Sequence, residues 1–461
     1  MSHAAARPGP TLEPSYCKGC GRCLDACSHG CLAPGEQIDP LTGLVPVHLS
    51  LDGCTGCNLC VDACPEPYGL VEGGPRPPPR APLAPPAGDV PDVRRSLASL
   101  RPEERPLVLK GAHASAIGAL LAGCRHFFGY PITPSTEGAE LMARLMPALG
   151  GQFVQAVSEV AAVNMLYGCG GAGRPAMTFT SSPGLSLMLE GVSYLIGAEV
   201  PAVIVDVMRG GPGLGNIGPE QSDIKLLCRG LGHGNTHALV LAPATPQELL
   251  DFTFQAFELS FRYRNPVFIA ADGYLGQMTG KVTLPPALVE PGLPAWAVSG
   301  DAGHRRNLIS SIHLAEADLE AHNLALQAKF LRMSKAEQRA DLYRCDDAEV
   351  LLVACNTPAR MAKGGVRALR DEGIAAGLFR PQTLWPFPIR KLKPLLEHVR
   401  RIVVVEASDG QLEDELRLAL SHAGEGAGLD IRHVRRMGGV LPSQREIVDG
   451  VRAAARKGAR A

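Results

Sequence analysis

Residues 152–211 read QFVQAVSEVAAVNMLYGCGGAGRPAMTFTSSPGLSLMLEGVSYLIGAEVPAVIVDVMRGG. A short run, QFVQAV, leads through a small-residue helical stretch into PAMTFTSS, and a second helical stretch leads into PAVIVDVM. Strands this continuously apolar have no wet face, so they belong to a parallel sheet covered by helices on both sides. The alternation extends outwards from Leu107 to about Thr283: HFFGYPIT and an amphipathic run to Met146 precede the quoted stretch, and HALVLAP and NPVFIAAD follow it. Residues 107–285 therefore read as an open α/β domain.

Beyond it, residues 286–345 combine a polar, proline-containing crossing with a charged helical pattern and read as a connector. EVLLVAC, AAGLFRP and RIVVVEAS then mark a second, smaller α/β domain over residues 346–445, expected to hold a single five-stranded layer, and residues 446–461 are expected to be a tail that frays after Arg452. Upstream, residues 75–106 centre on PRPPPRAPLAPP. Proline fixes φ and removes a donor, so this segment reads as an extended linker. Residues 1–74 are set apart by their cysteines.

At 461 residues the chain can bury two or three proper cores. Its 45 Lys+Arg nearly balance 46 Asp+Glu, and no basic run offers a footprint for nucleic acid or anionic lipid. Residues 1–14 lack a hydrophobic signal region and no unbroken apolar stretch is long enough to span a bilayer, so a cytoplasmic protein without membrane or nucleic-acid partners is expected.

Nine of the 14 cysteines fall within residues 17–64, which in a reducing compartment points to metal ligation. Cys17, Cys20, Cys23 and Cys27, and again Cys54, Cys57, Cys60 and Cys64, repeat the spacing CxxCxxCxxxC. In bacterial two-cluster ferredoxins the first three thiolates of such a run hold one 4Fe-4S cubane and the fourth reaches across to the other. On that pattern the first cluster takes Cys17, Cys20, Cys23 and Cys64, and the second takes Cys54, Cys57, Cys60 and Cys27. Paired zinc sites are the rival, but zinc rarely uses this doubled arrangement. Gly19, Gly21 and Gly56 suit tight turns that aim backbone amides at cluster sulfur. Cys27 is followed by Ser28 instead of proline, and Cys31 is a spare thiol, read as an incidental buried cysteine. Cys124, Cys169, Cys228, Cys345 and Cys355 read as buried structural thiols.

Three residues of the central domain carry competing readings. Thr133, in GYPITPS, either presents its hydroxyl beside a helix N-terminus that could hold an anion or simply caps that helix with Glu137. Glu159 is a solvated helix residue or, given its apolar neighbours VAAVNMLYGCGGAG, a buried carboxylate needing a dedicated partner. Arg209 enters the loop RGGPGLGN and is either paired with a surface acid or free to take a carboxylate in two parallel bonds.

The set FGYPITPSTE, QAVSEVAAVNMLYGCGGAG, TFTSSPGLSLMLEG and VIVDVMRGGPGLGN resembles the pyrimidine-binding α domain of 2-oxoacid:ferredoxin oxidoreductases, in particular the α chains acting on 2-oxoglutarate or branched-chain 2-oxoacids. The likeness continues more weakly through RPQTLWPFP at 380–388, where a transketolase-C-terminal-like domain is implied, and the cysteine module resembles the small ferredoxin-type subunit of those enzymes. The resemblance implies Glu159 as the carboxylate that hydrogen-bonds N1′ of thiamine diphosphate, and Thr133 and Arg209 as contacts of the substrate carboxylate. It also implies coenzyme A as acyl acceptor and an external ferredoxin as electron partner.

The diphosphate of thiamine is held through Mg²⁺, usually by a GDG motif followed by asparagine. Gly300-Asp301 with Asn323 is the nearest match and reads as chance, because its flanks are a polar loop and a charged helix. A separate thiamine-binding β subunit is therefore expected to complete the site, and a γ subunit is expected as a further partner. A pyruvate-type enzyme, a non-catalytic iron-sulfur electron-transfer or docking protein, and a redox sensor are the alternatives. The co-occurrence of Thr133, Glu159 and Arg209 speaks for catalysis.

Overall fold

The computed structural model describes residues 8–39, 42, 44–66, 68–75, 78, 107–285 and 288–458. The proline-rich linker expected at 75–106 therefore lies almost wholly outside the described residues. The chain divides into two compact units, residues 1–90 and 91–461.

In the first unit Thr11–Leu12 pairs antiparallel with Leu70–Val71, and Leu32–Ala33 with His48–Leu49. Two short helices, Arg22–Ala26 and Leu59–Asp62, each carry the third cysteine of a run. Gly19, Gly21 and Gly56 all have positive φ, of 64°, 76° and 66°, as the turns require. A Cβ on Gly19 would come within 2.3 Å of the Val45 carbonyl oxygen, so a side chain there is excluded by space as well as by φ. The core is little more than Leu32, Val47 and Leu70 packed with Cys23 and Cys60.

The second unit is built on two large sheets, with Leu107–Lys110 and Thr279–Val282 forming a separate antiparallel pair. The strands of the first are β1 (His126–Gly129), β2 (Gln152–Gln155), β3 (Ala176–Thr180), β4 (Ala202–Met208), β5 (Leu239–Leu241) and β6 (Pro266–Asp272). Every residue of β3, β4 and β6 is buried, as their apolar composition demands. Around them lie α1 (Gly111–Leu121), α2 (Thr136–Ala148), α3 (Glu159–Gly171), α4 (Ser182–Gly197), α5 (Asp223–Arg229) and α6 (Pro246–Tyr263). Helices α1 and α6 meet closely: Ser115 Oγ and Thr253 Oγ1 share a 2.7 Å hydrogen bond, and a Cβ on Gly118 would sit 2.4 Å from the Leu250 carbonyl oxygen.

The second sheet contains β7 (Ala340–Tyr343), β8 (Val350–Val353), β9 (Ala376–Pro381), β11 (Arg401–Glu406) and β12 (Asp430–Arg435), in the order β7-β9-β8-β11-β12. It has five strands, with β7 antiparallel and the rest parallel. Three expectations about this half need correction. The connector ends in β7, an edge strand of the sheet it was thought to precede. The segment RPQTLWPFP contributes β10 (Thr383–Trp385) to the first sheet, antiparallel to β5, giving the order β10-β5-β6-β4-β3-β1-β2. Pro381, at the end of β9, and prolines 386 and 388 bracket β10, which lies at the edge of the first sheet.

The third correction concerns the tail. Residues 444–458 form helix α11, which runs past Arg452 where fraying was expected to begin, after α7 (Gly273–Gln277), α8 (Glu316–Ala336), α9 (Asn356–Asp371) and α10 (Gln411–His422). Ile447 and Val451 are fully buried in a core with Ala362, Val366 and Leu369 of α9. Residues of both sheets, Val240 and Val267 with Leu351, Phe379 and Leu384 among them, share one continuous core. Among the described residues no helix is long and apolar enough to cross a membrane.

Candidate cofactor and active sites

In the first unit two small cavities separate the cysteines into a set of four and, counting Cys31, a set of five. One is lined by Cys17, Cys20, Cys23 and Cys64, the other by Cys27, Cys54, Cys57 and Cys60, the crossed sets expected from the spacing. The fourth cysteine of each run lies beyond the end of its helix, and at Cys27 the chain turns away in an extended conformation. The amides of Gly19 and Val47 each lie 3.4 Å from Cys17 Sγ, and that of Cys31 lies 3.4 Å from Cys27 Sγ. Such donors favour thiolate and are a lever on cluster potential. None of the 14 cysteines forms a disulfide. Cys31 is not incidental in position, because it lines the second cavity beside the four expected ligands. Cys124, Cys228, Cys345 and Cys355 are buried as expected, and Cys169 is partly exposed.

In the second unit the C-terminal ends of β1, β2 and β4 carry Thr133, Glu159 and Arg209, and that of β3 carries Thr180 and Ser181. Helix α3 opens at Glu159, with Ser158 as its cap accepting from the Ala161 amide at 3.2 Å. Glu159 is 5% exposed, and among the described residues no cation or donor reaches its carboxylate. It fits because Gly184, in the first turn of α4, has no side chain: a Cβ there would stand 2.6 Å from Glu159 Oε1 and 2.4 Å from Thr180 Oγ1. The hydroxyls of Thr180 and the following Ser181 are shut from solvent and, among the described residues, without partners. A buried carboxylate with orphaned hydroxyls is costly unless a polar ligand completes it. The donor set therefore fits an aminopyrimidine.

Arg209 follows β4 and is 9% exposed. Its Nη1 donates to the Thr133 carbonyl at 2.7 Å and its Nη2 to the Leu214 carbonyl at 3.0 Å, while Nε is buried without a partner. Ser182 Oγ, also at the start of α4, accepts from the Arg209 amide at 3.0 Å. Arg209 and Thr133 are thus in direct contact, with the first turn of α4 lying between Arg209 and Glu159. The surface-acid reading of Arg209 does not hold: among the described residues no carboxylate neutralises it. Nor does Thr133 cap α2. Ser135 occupies the cap position, Glu137 pairs instead with Lys110 at 2.9 Å, and Thr133 is exposed with only its carbonyl engaged. Asp301, by contrast, folds back on its own exposed turn, accepting from the Gly303 amide at 2.8 Å, so Gly300-Asp301 is no diphosphate motif.

The loop after Arg209 is rigid. Gly210 donates to Gly218 at 2.9 Å, Gly211 to Glu220 at 3.0 Å, and Asn216 Nδ2 to the Gly438 carbonyl at 2.9 Å. Beside it opens a cavity of ≈ 560 Å³ lined by Ser182, Arg209, Glu220, Asp223, Asp409 and Gln411, with other residues. Sequence reasoning missed its acids and their neighbour Asp206, which is fully buried on β4 opposite Thr180. Burial first, and then Asp223, push Asp206 well above the usual carboxylate range, while burial raises Asp223 and Glu220. The signal was available, since an aspartate interrupting VIVDVM is anomalous in an otherwise apolar strand.

Residues 117–293 match the family described as pyruvate flavodoxin/ferredoxin oxidoreductase, thiamine diphosphate-binding, residues 348–447 match pyruvate:ferredoxin oxidoreductase core domain II, and residues 16–68 match the 4Fe-4S dicluster domain. The chain is 46% identical over 347 residues to the ketoisovalerate oxidoreductase subunit VorB of Methanothermobacter thermautotrophicus, covering 75% of this chain and 97% of that protein. It is 33% identical to the 2-oxoglutarate synthase subunit KorA of Methanocaldococcus jannaschii, covering 74% and 97%. Among solved structures, 2-oxoglutarate:ferredoxin oxidoreductase from Magnetococcus marinus, with 2-oxoglutarate, coenzyme A and succinyl-CoA bound, superimposes with a TM-score of 0.69 at 25% identity, over 76% of this chain and 65% of that one. A split-gene transketolase at 14% identity and a TM-score of 0.50 shares the fold. The chain therefore belongs to the 2-oxoacid:ferredoxin oxidoreductases, as a VorB/KorA-type subunit that joins a 4Fe-4S dicluster domain to a thiamine diphosphate-binding domain and core domain II.

Proposed function

We propose that this chain is the α-type, electron-transferring subunit of an enzyme that oxidatively decarboxylates a 2-oxoacid with coenzyme A as acyl acceptor and ferredoxin as electron acceptor. Its favoured substrates are 2-oxoglutarate and 3-methyl-2-oxobutanoate. The observation that carries the reading is the buried Arg209, bound only to neutral carbonyls and touching Thr133, one helical turn from the buried Glu159.

Thiamine diphosphate, when bound, would supply the carbon nucleophile for decarboxylation. Glu159 would hold N1′ of its aminopyrimidine by a hydrogen bond and so favour the tautomer able to accept a proton. The Arg209 fork and the Thr133 hydroxyl bind the substrate carboxylate and orient it. Gly184 leaves the space that this arrangement needs, and Ser182 fixes the Arg209 backbone. Mg²⁺ and the diphosphate are held by a separate β subunit, with which the chain shares its active site, and a γ subunit completes the assembly.

Cys17, Cys20, Cys23 and Cys64 ligate the first cluster, and Cys27, Cys54, Cys57 and Cys60 the second. The protein works in the cytoplasm. The test is to purify the chain anaerobically with its partners and follow coenzyme A-dependent viologen reduction with 2-oxoglutarate, 3-methyl-2-oxobutanoate and pyruvate. Turnover with one of the first two acids is expected. No turnover from a complex holding thiamine diphosphate and intact clusters would leave an electron carrier.

A further inference from the structure

The second cluster cavity holds five thiols for four iron corners: Cys27, Cys54, Cys57, Cys60 and Cys31. The first cavity holds four. Cys31 is 5% exposed and lies against both Cys27 and Cys54, while its amide donates to Cys27 Sγ at 3.4 Å. Its Sγ bonds to backbone are loose, to the carbonyls of His29 and Asp52, each at 3.9 Å, the outer limit for sulfur, and its other neighbours are the Cys27 and Cys54 thiols of the same cavity. Among the described residues no close bond therefore draws this thiol away from the cluster cavity. The four-residue step from Cys27 to Cys31 also has room to adjust. Ser28 stands after Cys27 where proline would fix φ, and Gly30, at φ 64°, has open space where a Cβ would be.

We propose that Cys31 is a reserve ligand of the second cluster, able to take over the iron corner assigned to Cys27. The exchange breaks the bond from iron to Cys27 Sγ and forms one to Cys31 Sγ. The Cys31 proton passes to the departing Cys27 thiolate, or to solvent where Cys27 is absent, and no electron is transferred. The second cluster thus survives loss of Cys27, whereas the first has no substitute for any of its four. The proposal rests on the cluster assignment given above.

The experiment uses the full chain, produced anaerobically with its partner subunits, and reads iron and sulfide per chain with the EPR spectrum of the reduced clusters. Cys27→Ala is expected to keep the full iron content and both signals. Cys31→Ala alone is expected to do the same, and the double variant Cys27→Ala/Cys31→Ala should fall to half the iron with only the first cluster's signal, which also reports that the module has folded. Loss of the second cluster in Cys27→Ala alone, or in Cys31→Ala alone, overturns the proposal. Should Cys27→Ala be insoluble, the second cluster's potential in Cys27→Ser is compared with that in Cys27→Ser/Cys31→Ala: different values are expected, and equal values overturn it. Cys57→Ala separates the two levels, because a second cluster retained there would refute the assignment itself.

Discussion

The two units of this chain solve the same thermodynamic problem by opposite means. The first encloses Leu32, Val47 and Leu70 with a few thiols, whereas the second buries whole strands such as β4 and β6 on both faces. Burying a valine or leucine side chain contributes about 1.5–3 kcal/mol, while ordering the backbone costs roughly 1–2 kcal/mol per residue. Three such side chains cannot order the described part of residues 8–75. Metal ligation must supply the difference, because ligand binding that exists only in the folded state is itself folding free energy. The α/β unit needs no such help and can instead spend stability on buried, uncompensated groups at Glu159, Asp206 and Arg209.

The sharpest way to break this contrast is to remove the iron. Chelation under reducing conditions is expected to abolish amide protection throughout residues 8–75 while β4 and β6 keep theirs, as followed by hydrogen exchange; persistent protection in the first unit would show that its apolar core suffices. Next in size, Glu159→Gln should lower kcat by roughly 10²–10⁴-fold with iron content unchanged. Equal loss of clusters and activity would mean that the two units are not separable in this way.

Ile447→Ala probes the second core where its extent was least expected. A packed α11 predicts a loss of about 2–5 kcal/mol in denaturant unfolding, against almost none for a frayed tail. Arg209→Lys keeps the charge and loses the fork, so KM for the 2-oxoacid should rise by roughly 10- to 150-fold, corresponding to about 1.5–3 kcal/mol. An unchanged KM would take Arg209 away from the substrate.

The smallest effect concerns Asp206. Burial and Asp223 hold its carboxyl protonated above the usual range, so the folded state keeps a proton that the unfolded state releases once pH exceeds about 4. Stability from this site is therefore present in acid and falls as pH rises towards the folded pKa. Asp206→Asn should flatten the decline of the melting temperature of the second unit from acid to neutral pH, and an unaltered slope would place the titrating group elsewhere.

Much of this architecture is legible without coordinates, for identifiable reasons. The doubled cysteine spacing points to crossed sets of thiols, and the two cavities gather those same cysteines, with Cys31 added to the second. Uniformly apolar strands such as PAVIVDVM announce their two-sided burial. What resisted reading is what depends on distant partners. Thr383–Trp385 is three residues between prolines, and nothing local says that it joins the first sheet instead of the second. Ile447, Val448 and Val451 have helical spacing, but the surrounding arginines and alanines mask their burial. Thr133 and Ser135 both suit a helix cap, and only the backbone path decides between them. The Arg209–Thr133 contact joins residues 76 apart, and the Gly184 pocket for Glu159 depends on a residue from the next helix.

The claim that one polypeptide couples these two units is tested most directly by freeze-quench EPR on the complete complex after mixing with 2-oxoacid and coenzyme A. The account predicts that both clusters of residues 17–64 become reduced within a turnover, and that in Glu159→Gln they are still reduced by dithionite but not by substrate. Substrate turnover that leaves these clusters oxidised would contradict it.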